Sequence, residues 1–294
     1  MTPYVEDPAR LGETRLPDGR LLGWAEWGPP DGTPVLLCPG AATSRRLGFG
    51  PDAVRTLGVR LISVDRPGLG ASTASPGRTF ADFAEDIRHF TEERELGRPA
   101  VVGNSQGAPF ALACAAEGVV SGVAVVSGAD EIAAEEFASA LPAEVRGLVE
   151  RVAADPAGAE EFFAGFDAEA MRAMVTTTGV ACDQAVYQEP GFADAYRRSL
   201  EEGFAQGAAA GYARDTVLAM GRWPFALPDI TVPVDIWYGE HDTGHSPDQG
   251  HRLATRIPGA RRHLVPEAGG SLLWTHPGPI LSSLLTRTGT STGG

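Results

Sequence analysis

Lysine is absent from this 294-residue chain, so its 24 basic residues are all arginine, against 38 aspartates and glutamates. A formal net charge of −14 argues against nucleic acid or an anionic membrane as partner, because both repel a strongly acidic surface. Long apolar runs are also missing: none approaches the roughly 18 residues of a membrane span. Met1-Thr2-Pro3-Tyr4-Val5-Glu6-Asp7 has neither the basic nor the apolar part of a targeting segment, and a cytoplasmic location is expected. Cysteine is scarce. Cys38, Cys114 and Cys182 lie far apart without paired spacing, and the first two sit in apolar runs, which suits buried free thiols in a reducing compartment. Metal-ligand spacings, a phosphate loop and a dinucleotide fingerprint are all lacking, so neither metal nor cofactor is expected.

What is present centres on Val101-Val102-Gly103-Asn104-Ser105-Gln106-Gly107. Two β-branched residues enter Gly-x-Ser-x-Gly, and Ala108-Pro109-Phe110-Ala111-Leu112-Ala113-Cys114-Ala115 follows with helical character. This predicts a strand, a sharp turn and a helix with Ser105 at the apex. A side chain at Gly103 or Gly107 would collide with a neighbouring strand or helix. The strained turn pushes the serine hydroxyl out, and the Gln106 N–H lies at a helix N-terminus, where partial positive charge can meet an oxyanion.

Residues 14–27 read as a hairpin turning at Pro17-Asp18-Gly19. Val35-Leu36-Leu37-Cys38 has the continuous apolar character of a buried parallel strand, and it runs into the small-residue loop Pro39-Gly40-Ala41-Ala42. Strands follow at Arg60-Leu61-Ile62-Ser63-Val64 and Val123-Ala124-Val125-Val126, with an amphipathic helix over 79–95 between them. From 131 to 227 no comparable β-branched run occurs, and Ala- and Glu-rich helical stretches are broken by Pro and Gly. The strand pattern resumes at Val234-Asp235-Ile236-Trp237-Tyr238, before Gly239-Glu240-His241-Asp242. A helix around 248–256, a strand at 262–265, a helix over 271–286 disturbed by Pro277 and Pro279, and an unstructured tail from Thr288 complete the chain. Alternating strands and helices predict an α/β fold, a doubly wound, mostly parallel sheet. Its chemistry should collect at the carboxyl ends of the strands. Gly40-Ala41, Ser105, Asp130 and Asp242 all lie just past such ends.

Over residues 20–285 the chain resembles an α/β hydrolase. The elbow, the Asp65-Arg66-Pro67-Gly68-Leu69-Gly70 loop, the helical stretch and Val234-Asp235-Ile236-Trp237-Tyr238-Gly239-Glu240-His241-Asp242 occur in that family's order. The resemblance implies an α/β-hydrolase core from 1–130 and 228–294, with an inserted all-helical lid over 131–227. It implies Ser105 as nucleophile, Asp242 as the triad acid, and the backbone N–H groups of Ala41 and Gln106 as the oxyanion hole. Pro39-Gly40 stands where the family usually has His-Gly.

The larger departure is the base. In the family a histidine follows the last strand; here the segment reads Val265-Pro266-Glu267-Ala268-Gly269-Gly270-Ser271, with Gly270 in the histidine's place. A serine hydroxyl is a poor nucleophile without a base. His89, His251, His263 and His276 sit in helices or strands that suit packing or solvent, and His241 should point away from Asp242. His245 occupies a position that borders the pocket in the family. It is the expected replacement base, oriented by Asp242 or Asp130, with Glu267 a weaker carboxylate candidate. Removal of a histidine by engineering would leave the same Gly270.

The expected function is serine-dependent hydrolysis of a small, largely hydrophobic ester, lactone or thioester with a non-standard triad. A cofactor-free lyase, cyclase or isomerase using the oxyanion hole is the alternative, as is a catalytically silent ligand-binding relic. Aromatic and soft residues of the helical stretch, such as Phe163, Tyr187, Phe192 and Tyr196, should shape an apolar cleft. The expected partner is the small-molecule substrate, with a homo-oligomer possible.

Overall fold

The structure, a computed structural model, describes residues 5–289. It is built on one sheet of eight strands in the order β1-β2-β4-β3-β5-β6-β7-β8. β1 (Arg10–Arg15) and β2 (Leu21–Trp27) form the antiparallel hairpin, turning through Pro17-Asp18-Gly19. β2 also runs antiparallel to β4 (Val59–Val64). All other neighbours are parallel: β3 (Thr33–Cys38), β5 (Ala100–Asn104), β6 (Val123–Val126), β7 (Val234–Gly239) and β8 (Arg261–Val265).

The central strands β5, β6 and β7 are buried along their whole length, which is why they read as unbroken apolar runs. Alternation sorts their side chains between two cores. Val101, Val123, Val125 and Ile236 join α2 (Phe80–Glu93) and α3 (Ala108–Ala116) on one face. Val102, Ala124, Val126 and Trp237 join the other, beside α1 (Pro51–Thr56) and the C-terminal helices. Thr79 starts α2 through a capping box with Asp82. His89, on its outer face, pairs with Glu85 at 3.0 Å.

Between β6 and β7 the chain leaves the sheet through α4 (Ala143–Ala154), α5 (Pro156–Phe163), α6 (Ala168–Thr178), α7 (Ala181–Tyr187), α8 (Pro190–Gly203) and α9 (Tyr212–Met220). Proline stands in the first turn of α5 and α8, where its missing N–H costs nothing. Trp223, stacked on Phe225 with ring centroids 5.6 Å apart, leads the chain back to the sheet.

Three details differ from the sequence pattern. The helix expected at 248–256 is only α10 (His251–Arg256). Gln249 and Gly250 adopt left-handed backbone, while Ser246 and Asp248 side chains accept the N–H groups of Gly250 and His251, each at 3.0 Å. The C-terminal helix is two: α11 (Leu272–Thr275) and α12 (Pro277–Thr288). His276 precedes a proline, which disfavours helical backbone there, and Pro277 begins the second helix. Thr288, expected in the tail, closes α12; residues 290–294 of that tail lie outside the described residues.

No helix among the described residues is long and apolar enough to cross a membrane. Cys38 and Cys114 are buried free thiols, and Cys182 is half-buried.

Candidate active site

Ser105 follows β5 with φ +49, left-handed backbone that a side chain rarely adopts. Its two glycines explain how the turn closes. A Cβ at Gly107 would lie 2.0 Å from the Cys38 carbonyl oxygen, and one at Gly103 would lie 2.7 Å from Ala108 Cα. Both contacts are too short for any side chain. Ser105 is half-buried. The loop after β3 passes close by: even a Cβ on Gly40 would come within 3.4 Å of Ser105 Cβ.

A buried arginine ties that loop to the elbow. Arg66 donates to Pro39 O at 2.6 Å, Gly40 O at 3.0 Å and Gln106 Oε1 at 3.3 Å. The Gly40 carbonyl and the Ala41 N–H belong to one trans peptide and point in opposite directions. The guanidinium therefore fixes that peptide and polarises its N–H. Arg66 is held by Asp215 of α9 at 2.6 Å, which also pairs with buried Arg78. Gln106 in turn donates through Nε2 to Thr216 Oγ1 at 3.0 Å. The underside of the elbow thus rests on the last helix before the chain rejoins the sheet.

Asp242 lies past β7, nearly fully buried. His241 beside it is exposed. His245 turns its ring onto Asp242, with Nδ1 2.9 Å from Oδ1 and 3.1 Å from Oδ2. Burial works against both charges, but their mutual attraction and hydrogen bonding outweigh it: the Asp242 carboxyl is held below its ordinary range and the imidazole above. Asp130 does not touch the imidazole. It braces the loop instead, donating its N–H to His245 O at 3.2 Å and accepting the Ser246 hydroxyl at 2.9 Å. Burial pushes its carboxyl up to about 6. Its neighbour Ala129 donates to Ser105 O at 2.9 Å. Consecutive backbone amides thereby join the elbow to the His245 loop.

Gly270 lies against the same ring. A Cβ placed on it would be 2.8 Å from His245 Cε1 and 3.1 Å from Nδ1. The imidazole of His245 fills the space that a side chain at 270 would enter. Glu267 is exposed, and its N–H meets Glu240 at 3.3 Å. His251 is exposed, while His263 stacks on Trp237 at 3.9 Å and pairs with Asp235. His276 donates or accepts at Thr275 Oγ1, 2.9 Å away.

Arg66, Asp215 and Asp183 are structural parts of this region that sequence reasoning did not assign. Arg66 stood inside a recognisable loop motif, but Asp183 and Asp215 are single acids in helices, without a distinguishing pattern. Among the described residues no group of three or more His, Cys, Asp or Glu is arranged to hold a metal ion.

A family model of the alpha/beta hydrolase fold matches residues 33–277. The chain belongs to the α/β-hydrolase fold family. Solved structures agree on the fold. A hydrolase from Pseudomonas aeruginosa superposes with a TM-score of 0.68 at 19% identity, over 96% of this chain and 99% of that one. An esterase from Thermogutta terrifontis superposes at 0.66 with 21% identity, over 97% and 100%. In sequence, a proline iminopeptidase of Neisseria gonorrhoeae is 30% identical over 119 residues, 38% of this chain and 37% of the relative. This α/β hydrolase therefore matches little more than a third of that curated relative's length.

Proposed function

We propose that this α/β hydrolase is a serine-dependent hydrolase of small, largely hydrophobic esters, lactones or thioesters, with His245 as the base in place of the residue missing at 270. The observation that carries this reading is the 2.9 Å contact of His245 Nδ1 with Asp242, made by a ring that occupies the room beside Gly270. With Nδ1–H donated to the carboxylate, Nε2 is left free to take a proton. It removes the Ser105 proton as Oγ attacks the substrate carbonyl. The oxyanion is met by the N–H groups of Ala41 and Gln106, and the imidazolium protonates the leaving group. Water, activated by the same nitrogen, then releases the acyl group from Ser105.

In this reading the helices of 131–227 form a lid on the core of 1–130 and 228–294 and set substrate choice. Tyr187, Phe192, Tyr196 and Trp274 form a contiguous aromatic cluster, with ring centroids 5.0–6.2 Å apart. Tyr187 and Tyr196 also line a groove of about 270 Å³ on the outer side of these helices. The aromatic cluster, which reaches Trp274 just past the Gly270 turn, supports a hydrophobic substrate. The larger groove, about 480 Å³, lies between the N-terminal segment and α8, away from Ser105.

The test is a swap. His245→Ala should lower kcat by roughly 10⁴-fold or more. Gly270→His added to His245→Gly should restore part of it, by returning an imidazole to the other side of the same space. Ester hydrolysis unchanged in His245→Ala would refute the assignment. A fluorophosphonate should label Ser105. Turnover that survives Ser105→Ala would point instead to a lyase, cyclase or isomerase. Prolyl amides form the second substrate class to assay, given the partial similarity to proline iminopeptidases.

A further inference from the structure

We propose that Asp183, carried by α7, is a positioning residue for His245: its carboxylate pins the turn at residues 269–271 against the imidazole, so that the base is held only while these helices are seated on the sheet. The proposal rests on the reading of His245 as base.

Asp183 is buried and reaches out of the helical segment to the loop after β8. It accepts the Gly270 N–H at 2.9 Å and the Ser271 N–H at 2.8 Å, one on each oxygen. Such a paired, charge-assisted contact is stronger than two neutral hydrogen bonds and fixes orientation as well as distance. The approach depends on glycine: a Cβ at Gly269 would sit 2.3 Å from Asp183 Oδ2. A Cβ at Gly270 would sit 2.8 Å from the imidazole on its other side. The two glycines therefore form a thin wall, with the carboxylate against one side and the ring against the other.

Tyr187, one turn further along α7, packs on Trp274 of α11 with ring centroids 6.2 Å apart, so α7 is anchored both to the loop and to the helix that follows it. With α7 displaced, the Gly270 and Ser271 amides would lose their acceptor and the wall its backing. With α7 seated, both bonds are formed and the ring is confined against Asp242. The same carboxylate favours the imidazolium that develops as Ser105 gives up its proton.

The charged and titratable groups around the ring are few. Asp242 faces it from its own loop, and Asp183 acts on it from α7. On α7, burial pushes up both the Tyr187 phenol and the Cys182 thiol, which keeps them neutral. Glu267 is exposed. The His245 side chain is 30% exposed, so water screens part of the Asp183 attraction.

The experiment compares wild type with Asp183→Ala and with the near-isosteric Asp183→Asn. Amide exchange at Gly270 and Ser271, and the titration of the His245 Cε1 proton, are followed by NMR without substrate. In Asp183→Ala both amides should exchange at least about tenfold faster, and His245 should titrate at lower pH. In either variant the acid limb of kcat/KM should move down in step, with kcat reduced. If Asp183→Ala fails to fold, Asp183→Asn retains an acceptor and still removes the charge, so the titration shift remains the criterion. A folded variant with both the exchange and the His245 titration of the wild type overturns the proposal. Hydrolysis that persists in His245→Ala removes the base reading, and the proposal with it, by a separate measurement.

Discussion

His245 Nδ1 lies 2.9 Å from Asp242 Oδ1, and the two residues are three apart in one loop. In a hydrolase whose acid and base come from separate loops, this contact depends on two segments meeting. Here one turn makes it, with Asp130 bracing the turn from β6. The imidazole is consequently fixed by short-range geometry on the acid side and by the glycine turn on the other.

The pH dependence has a definite sign. The carboxylate raises the imidazole above its ordinary value near 6.5. A general base must be neutral, so kcat/KM should rise along an acid limb centred above that value. Stability runs the opposite way for this group. Its contribution is fully present below the unfolded value and is lost as pH climbs through the folded one. The lowered Asp242 carboxyl contributes above its unfolded value and is lost in acid. Steady-state rates against pH, with urea unfolding at matched pH, check both. An acid limb below the ordinary imidazole value would contradict the pairing.

Gly270→Ala tests the shared space directly. The new methyl would stand 2.8 Å from His245 Cε1, and the ring would have to turn away from Asp242. We expect kcat to fall about 10²-fold, the penalty of misplacing a catalytic group by about an ångström. The fold should persist, because Gly270 is half-buried and has no positive φ. Circular dichroism and kcat separate the two effects.

Arg66→Lys keeps a positive charge but loses the fork that reaches Pro39, Gly40 and Gln106 together. Losing a single oxyanion donor costs about 10²–10³-fold in kcat, and a donor merely loosened should cost less, roughly tenfold to 10²-fold. KM should change little, whereas affinity for a boronate that mimics the tetrahedral intermediate should fall with kcat. Equal loss of affinity for a ground-state ligand would count against this role.

Gly107→Ala should destabilise the protein by about 3 kcal/mol or more, because its methyl meets the Cys38 carbonyl oxygen of β3 at 2.0 Å. Gly118→Ala is the comparison: φ is +68 but nothing lies within 4 Å, so about 1 kcal/mol is expected. Equilibrium unfolding in urea measures both.

The strands and the elbow were legible because their signals are local. Buried parallel strands are unbroken apolar runs, and Gly-x-Ser-x-Gly between a strand and a helix has few physical solutions. His245 could be proposed because the resemblance sets Gly270 where a histidine is expected, and His245 follows Asp242 by three residues. Asp183 and Asp215 could not be, since their partners lie 87 and 149 residues away and nothing beside them in sequence marks the contact. The break at His276 is marked in the sequence by Pro277. The short α10 is not, because left-handed backbone at Gln249 and Gly250 interrupts the helix without a proline to announce it.

In the proposed reading, the acid and the base sit on one short loop and make a compact cassette. Residues 242–245 could then be grafted onto a related scaffold to supply a preassembled proton relay, provided the receiving loop after the last strand is thin enough to admit the ring. The pair of glycines at 269 and 270 is thus the specification for any host.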